Sequence, residues 1–316
     1  MTLHPLRRLG PALLCALPLI LNPGVTCAET LRPPAVPLVA CDPYFSIWSP
    51  ADKLTDADTT HWTGKSHRIS SLVRIDGQAF RLMGKSPATV PALDQKSVTV
   101  LPTRSIYVFA GQGVELTLTF LTPALPEDLD LLARPVTYLT WDAQATDGKK
   151  HALSLYFDAA SELAVNEPSQ PVTWAKQQFG SLDALSCGSV EQPVLGKRGD
   201  DLRIDWGYLY LAADKKLLRQ QGMTASQAAA QQAFCAGSAI PNAAASQAAA
   251  GFLVLDFGKV GQQSVSRWLM LAYDDLYAIQ YMKKNLRPYW RRNGWEAADL
   301  LQAAAKDYAS LQSRCA

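Results

Sequence analysis

From Ser70 to about Leu211 apolar and polar positions alternate with the two-residue period of strands that have one buried face. Residues 72–84 read as a hairpin turning at Asp76-Gly77, a pairing suited to a two-residue turn. Residues 105–109 and 114–121, joined through Gly111-Gln112-Gly113, form a second hairpin. Its Glu and Thr positions alternate with apolar ones and imply a solvent-facing side. A third pair is expected from 136–141 and 152–157 flanking Asp147-Gly148, with further strands at 202–206, 209–212, 251–257 and 264–273. Many short strands separated by turn signals predict an all-β fold, a large antiparallel β-sandwich with C-terminal linker helices.

The period changes twice. Residues 224–250 are rich in Ala, Gln and Ser; 226–234 favour a helix, and the remainder a loop around Pro241-Asn242. Residues 275–287 are expected to form a helix that stops before Pro288, and 295–314 a second one. In the latter Ala297, Leu300, Leu301, Ala304, Tyr308 and Leu311 recur on one face. Such a stripe needs a cover, either the sandwich itself or a further domain.

Composition adds a compartment. Arg7 and Arg8, an apolar run over 9–21 and Thr26-Cys27-Ala28 read as a secretory signal peptide over residues 1–28. A membrane span and a lipid anchor on Cys27 are the alternatives. Its removal leaves 28 basic against 28 acidic side chains, since Arg7 and Arg8 are lost from the 30 Lys and Arg. That balance argues against nucleic acid and polybasic membrane contacts. The chain is expected to be periplasmic or secreted, with no membrane span after cleavage. Export permits disulfides among Cys41, Cys187, Cys235 and Cys315. Cys187 and Cys235 are the expected pair, free buried thiols the alternative. No C-x-x-C spacing is present, and neither metal nor cofactor is expected.

Candidate chemistry concentrates in residues 42–64, where Tyr44, Phe45, Trp48, His61 and Trp62 lie among turn-forming Pro, Asp and Gly. Aromatic rings on loops either plug the end of a core or line a site. Asp42, Tyr44, Trp48, His61 and Trp62 are therefore substrate-rim candidates, with end-of-core packing the competing role. His67 and His151 read as exposed. Asp274 and Asp275, after a strand-like run, could transfer protons, contribute to a calcium site or cap the helix expected to follow. Glu127-Asp128 with Asp130, and Asp200-Asp201, read as solvated turns, and Arg291-Arg292 as a surface or interdomain feature. No G-x-S-x-G elbow is present.

Several segments in order resemble the N-terminal half of the glutaminase A family. They are the Pro-Pro-Ala-Val-Pro-Leu run at 33–38, the 42–64 block, Leu72-Val73-Arg74-Ile75-Asp76-Gly77 and Pro102-Thr103-Arg104-Ser105-Ile106-Tyr107. Arg134-Pro135-Val136-Thr137-Tyr138-Leu139, Asp205-Trp206-Gly207-Tyr208-Leu209-Tyr210 and Met270-Leu271-Ala272-Tyr273-Asp274-Asp275 continue the series. The resemblance implies a β-sandwich preceding a six-hairpin (α/α) barrel and hydrolysis of L-glutamine to glutamate and ammonia. With the signal peptide at 1–28, it implies a sandwich over 29–274 and a helical linker over 275–316 toward a barrel absent from this sequence, a separately encoded barrel domain being one candidate partner. It places no catalytic nucleophile or acid/base pair on this sequence. Glutamine or a sugar is the expected small-molecule substrate of the complete protein. A stand-alone carbohydrate- or partner-binding module is the alternative.

Overall fold

The computed structural model describes residues 33–316; the expected signal peptide lies outside the described residues. Short β1 (Val36–Ala40) and β2 (Ser46–Ser49) pair with each other. β3 (Ile69–Ile75) and β4 (Gln78–Met83) form a hairpin through Asp76-Gly77 as expected. β5 (Asp94–Leu101), β6 (Arg104–Gly111) and β7 (Val114–Leu121) follow as a meander. After the one-turn α1 (Leu129–Leu132) come β8 (Val136–Ala145), β9 (His151–Ala160), β10 (Val172–Phe179) and β11 (Leu182–Ser189). β12 (Tyr208–Asp214), β13 (Leu218–Thr224) and α2 (Gln227–Cys235) lead to β14 (Ala250–Val260) and β15 (Val265–Asp274). A two-stranded arm, β16 (Ile279–Tyr281) and β17 (Lys284–Leu286), precedes α3 (Ala297–Arg314).

Two antiparallel sheets result, with strand orders β10-β11-β12-β15-β8-β7-β6-β5 and β13-β14-β9-β3-β4. Their facing surfaces enclose one apolar core, with Phe109, Leu116, Leu139, Trp141, Leu269 and Leu271 from one sheet. Val73, Leu155, Phe157, Leu253 and Leu255 come from the other. Trp141 meets Phe157 edge-on, ring centroids 5.9 Å apart. This fits sheet-on-sheet packing, in which side chains of the two inner faces interdigitate.

Four sequence expectations change. Residues 136–141 and 152–157 form no hairpin: β8 joins the larger sheet and β9 the smaller, so the chain crosses between sheets at Asp147-Gly148. Residues 202–206 are irregular. The helix expected over 275–287 is the β16–β17 arm, because Leu276, Met282 and Lys283 have φ of 57°, 46° and 65°, incompatible with a right-handed helix. Cys187 and Cys235 are both free. Cys187 sits in the core between the sheets, while Cys235 lies on α2 against a separate cluster on the outer side of the smaller sheet.

The helix at 297–314 forms, and its stripe does not stay exposed. Leu300, Leu301, Ala304, Tyr308 and Leu311 bury against Tyr138, Ala184, Tyr210, Ala212, Met270 and Ala272 on the outer face of the larger sheet. Tyr138 donates to Ala304 O (2.8 Å), Tyr308 stacks on Trp268 at 4.2 Å, and Arg134 pairs with Asp307 (2.7 Å). Central strands of this sheet are apolar on both faces for that reason.

Candidate functional site

One end of the sandwich gathers most of the residues singled out between Asp42 and Gly64. Asp42 Oδ1 accepts from the backbone N–H of Tyr44 (2.7 Å) and Phe45 (2.9 Å), which folds the chain into a tight turn between β1 and β2. Two neighbours pin that turn. His61 Nδ1 accepts from Thr63 N (3.3 Å), so its Nε2–H donates to Pro43 O (3.1 Å). Trp62 Nε1 donates to the same carbonyl (2.7 Å). His61 is fully buried, whereas Trp62 is 51% and Tyr44 37% exposed. Trp48 is half-buried, its backbone bridged to Thr60 and its indole bonded to Ser46 Oγ (3.1 Å).

His67, expected at the surface, is fully buried beside His61, with ring centroids 4.9 Å apart. Its Nδ1–H donates to Ser46 O (3.0 Å), and Nε2 has neither solvent nor a hydrogen-bond partner. Burial, with the neighbouring His61, pushes its pKa down to about 3. Burial also lowers that of His61, against the pull of the Pro43 carbonyl. The two neutral imidazoles act as fixed posts for the Asp42–Ser46 turn. His151 likewise departs from its expected exposure. It is 7% exposed on β9, and its ring nitrogens meet Asp76 (2.7 Å) and Asp147 (3.1 Å), which raise its pKa.

The turn meets the end of β15. Phe45 packs on Tyr273 with ring centroids 4.7 Å apart, and Tyr273 OH donates to Trp206 O (2.9 Å). Gly207 admits this approach: a Cβ there would lie 2.1 Å from Asp274 O, and its φ of +77° suits glycine. Asp274 and Asp275 consequently diverge. Asp274 is buried in an ion pair with Arg291, whose guanidinium also reaches Glu296. Asp275 is half-buried, and its Oδ1 is sealed from solvent without a partner. Burial, then the charges of Asp42 and Asp274, push Asp275 up to about 7. Asp42 is also raised by burial, opposed by its two backbone donors. No helix follows, so neither carboxylate is a cap, and Arg291 is a buried counter-ion rather than a surface feature.

Residues absent from the sequence-level candidates complete this end. Asp205, 1% exposed, accepts from Lys197 Nζ (2.8 Å) and Gln170 Nε2 (3.0 Å). Arg203, 4% exposed, donates to Asn166 O and pairs with Asp201 (2.8 Å), while Ile204 N bonds Tyr44 O (3.0 Å). Their order in the sequence carries no periodic signal, since they lie in an irregular segment between β11 and β12. Among the described residues no group of three or more His, Cys, Asp or Glu could hold a metal ion. No helix among them is long and apolar enough to cross a membrane.

The two adjacent carboxylates therefore differ in surroundings, Asp274 paired with Arg291 and Asp275 without a counter-ion and raised by burial to about 7. Residues 103–316 match the family described as Domain of unknown function (DUF5127), and residues 22–94 that described as Domain of unknown function (DUF4964). The chain belongs to the DUF5127 family. It is 31% identical over 193 residues to Glutaminase A of Aspergillus oryzae, a match covering 58% of this chain and 27% of that protein. A probable glutaminase of Arthroderma benhamiae is 22% identical over 226 residues, covering 62% and 25% respectively. These matches span about a quarter of each curated relative's length. A putative kojibiose phosphorylase from human microbiome superposes with TM-score 0.38 at 8% identity, covering 82% of this chain and 30% of that one. The resemblance to glutaminase A holds on the two curated relatives, and the all-β sandwich on the two packed sheets of this chain.

Proposed function

We propose that this chain is the sandwich portion of an exported glutaminase-like amidohydrolase, acting on L-glutamine in the periplasm or outside the cell. In this reading it shapes the rim of the substrate site while a helical barrel supplies the main catalytic groups. The observation that carries the proposal is the split between Asp274, locked on Arg291, and Asp275, poised near neutrality within reach of the charge of Asp42, whose turn carries Tyr44 and is pinned by Trp62. Amide hydrolysis must protonate departing ammonia, and a carboxylic acid titrating near 7 is suited to orient or donate to a polar substrate. The names of the relatives support glutamine as the substrate.

The purified chain alone is expected to release no ammonia from L-glutamine. Sustained turnover by it would overturn the division of labour. The exposed indole of Trp62 and phenol of Tyr44 also favour a second reading, a module that stacks on sugar rings. Isothermal titration against glutamine and a small glycan panel separates the two: heat with glycans and none with glutamine would replace the first reading by the second.

A further inference from the structure

The outer face of the smaller sheet carries a site of different character, away from the residues discussed above. α2 covers one part of this face, packing Ala230, Phe234 and nearby Ile240 on Leu72, Tyr156, Phe252 and Val254. Where α2 ends, the cover stops and leaves a hollow of about 250 Å³. Its floor includes Arg74 of β3 and Ser154 of β9, directly opposite each other in register. Arg219 of β13, from the far edge of the same sheet, also lines it, with Phe234 and Ile240 as its apolar members. An adjoining hollow shares Arg74, Ser154 and Arg219 and adds Lys259 and Asp256.

The cations here lack counter-ions. The side chains of Arg219 and Lys259 make no hydrogen bond or ion pair among the described residues. Arg74 reaches only Gly77 O, at 3.3 and 3.4 Å, too long to satisfy a guanidinium. Asp256, the single carboxylate, takes the Gly258 N–H instead (2.9 Å). The Arg74 guanidinium nevertheless has a built seat. Gly237, just beyond α2, lies so close that a Cβ there would be 2.6 Å from Arg74 Nη1. The last α2 carbonyls are already used by Gly237 N and Ser238 N, both at 2.9 Å. Two planar five-donor groups, one seated and one free, converge on a concave surface with an apolar side.

We propose that this hollow binds the oxyanion head of a small organic acid, a carboxylate or a phosphate ester. Arg74 and Arg219 take the oxygens, Ser154 adds a hydroxyl, and Phe234 with Ile240 contact the apolar remainder. Guanidinium groups favour such heads because their parallel N–H donors match two oxygens at once.

The test titrates the whole chain with benzoate, phenyl phosphate and uncharged benzyl alcohol, followed by amide NMR shifts at Ser154, Gly237 and Ser238. Saturable shifts with benzoate alone identify a carboxylate head, and with phenyl phosphate alone a phosphate ester; either supports the site. Arg219→Gln, on an exposed position that leaves folding intact, is expected to weaken binding about tenfold or more. Gly237→Ala, which crowds the Arg74 seat, is expected to do the same with the fold checked by circular dichroism. No saturable binding by either anion would overturn the proposal. Equal binding of benzyl alcohol, or an affinity unchanged in Arg219→Gln, would do so as well.

Discussion

The contact of α3 with the larger sheet and the end of the sandwich around Asp42 and Asp275 are both well packed, yet by different means. Under α3 the contact is mainly apolar, with a few hydrogen bonds such as Tyr138 to Ala304 O and Thr140 to Tyr308. At the Asp42 end the fold buries His61, His67, Arg203, Asp205, Asp274 and Arg291. Apolar contact is non-directional and tolerates neighbours of similar size. Buried charge is directional, and its cost is offset only when each partner is in place. The first region therefore stabilises the fold by area. The second holds Asp42, Asp275 and the rings of Tyr44 and Trp62 by directional contacts, the arrangement that the proposed substrate rim would need.

The sharpest break of that contrast is Arg291→Ala. It leaves Asp274 buried without its counter-ion and should cost about 3–5 kcal/mol, measured by urea unfolding. A double variant with Asp274→Leu and Arg291→Met should recover most of that loss; a loss equal to the sum of the single changes would show that the pair is not the unit. Leu301→Ala removes a fully buried side chain from the apolar contact and should cost roughly 2–5 kcal/mol, by the same method and independent of pH. Together the two variants ask whether polar and apolar burial contribute on the same scale.

His67 should make the polar end sensitive to acid. Its folded pKa lies near 3, below the 6.5 of an unperturbed histidine, so the unfolded chain binds the extra proton first. Its contribution is present above pH 6.5 and lost as pH falls toward 3, with a slope of up to about 1.4 kcal/mol per pH unit. His67→Phe should flatten that limb of the stability profile, and an unaltered acid limb would contradict the assignment.

Asp275 has the opposite sign. Its folded pKa is raised to about 7 from 3.8, so its contribution is present below pH 4 and lost as pH rises through 7. Asp275→Asn should stabilise the chain at pH 8 by on the order of 1–2 kcal/mol, allowing for its partial exposure, and by clearly less at pH 5. Thermal unfolding at the two pH values reads the difference. The smallest expected effect on stability is that of Trp62→Ala, within about 0.5 kcal/mol for a surface ring. The same variant should abolish any binding of glutamine or glycan at the rim, so a large stability loss with binding retained would make Trp62 a packing residue.

Periodicity made the hairpins at Asp76-Gly77 and Gly111–Gly113, and the stripe from Ala297 to Leu311, readable along the chain. Each depends on neighbours a few residues away. The 42–64 block was also readable as a place where rings cluster on turns, and Asp42, Tyr44, His61 and Trp62 do meet there. Its partners were not. His67 and Arg291 have charged or polar side chains at positions without periodic pattern, and contacts 21 and 17 residues distant, to Ser46 and Asp274, help to hold them inside. The same limit misplaced 275–287: residues with acceptable helix propensity adopt positive φ at three positions because the chain must turn back toward α3.

Local order thus belongs to the amino-acid pattern: strand and helix periods, the turn residues and the need for a cover over the 297–314 stripe. Tertiary structure alone decided that β8 and β9 part into different sheets, that α3 covers the larger one, and that Cys187 and Cys235 stay apart. It also gave the twin carboxylates Asp274 and Asp275 different surroundings, one in an ion pair with Arg291 and the other half-buried without a partner for its Oδ1. The physical reason is the range of the interactions. Backbone preference and side-chain period act over a few residues, whereas desolvation and ion pairing depend on everything the fold brings within a few ångströms.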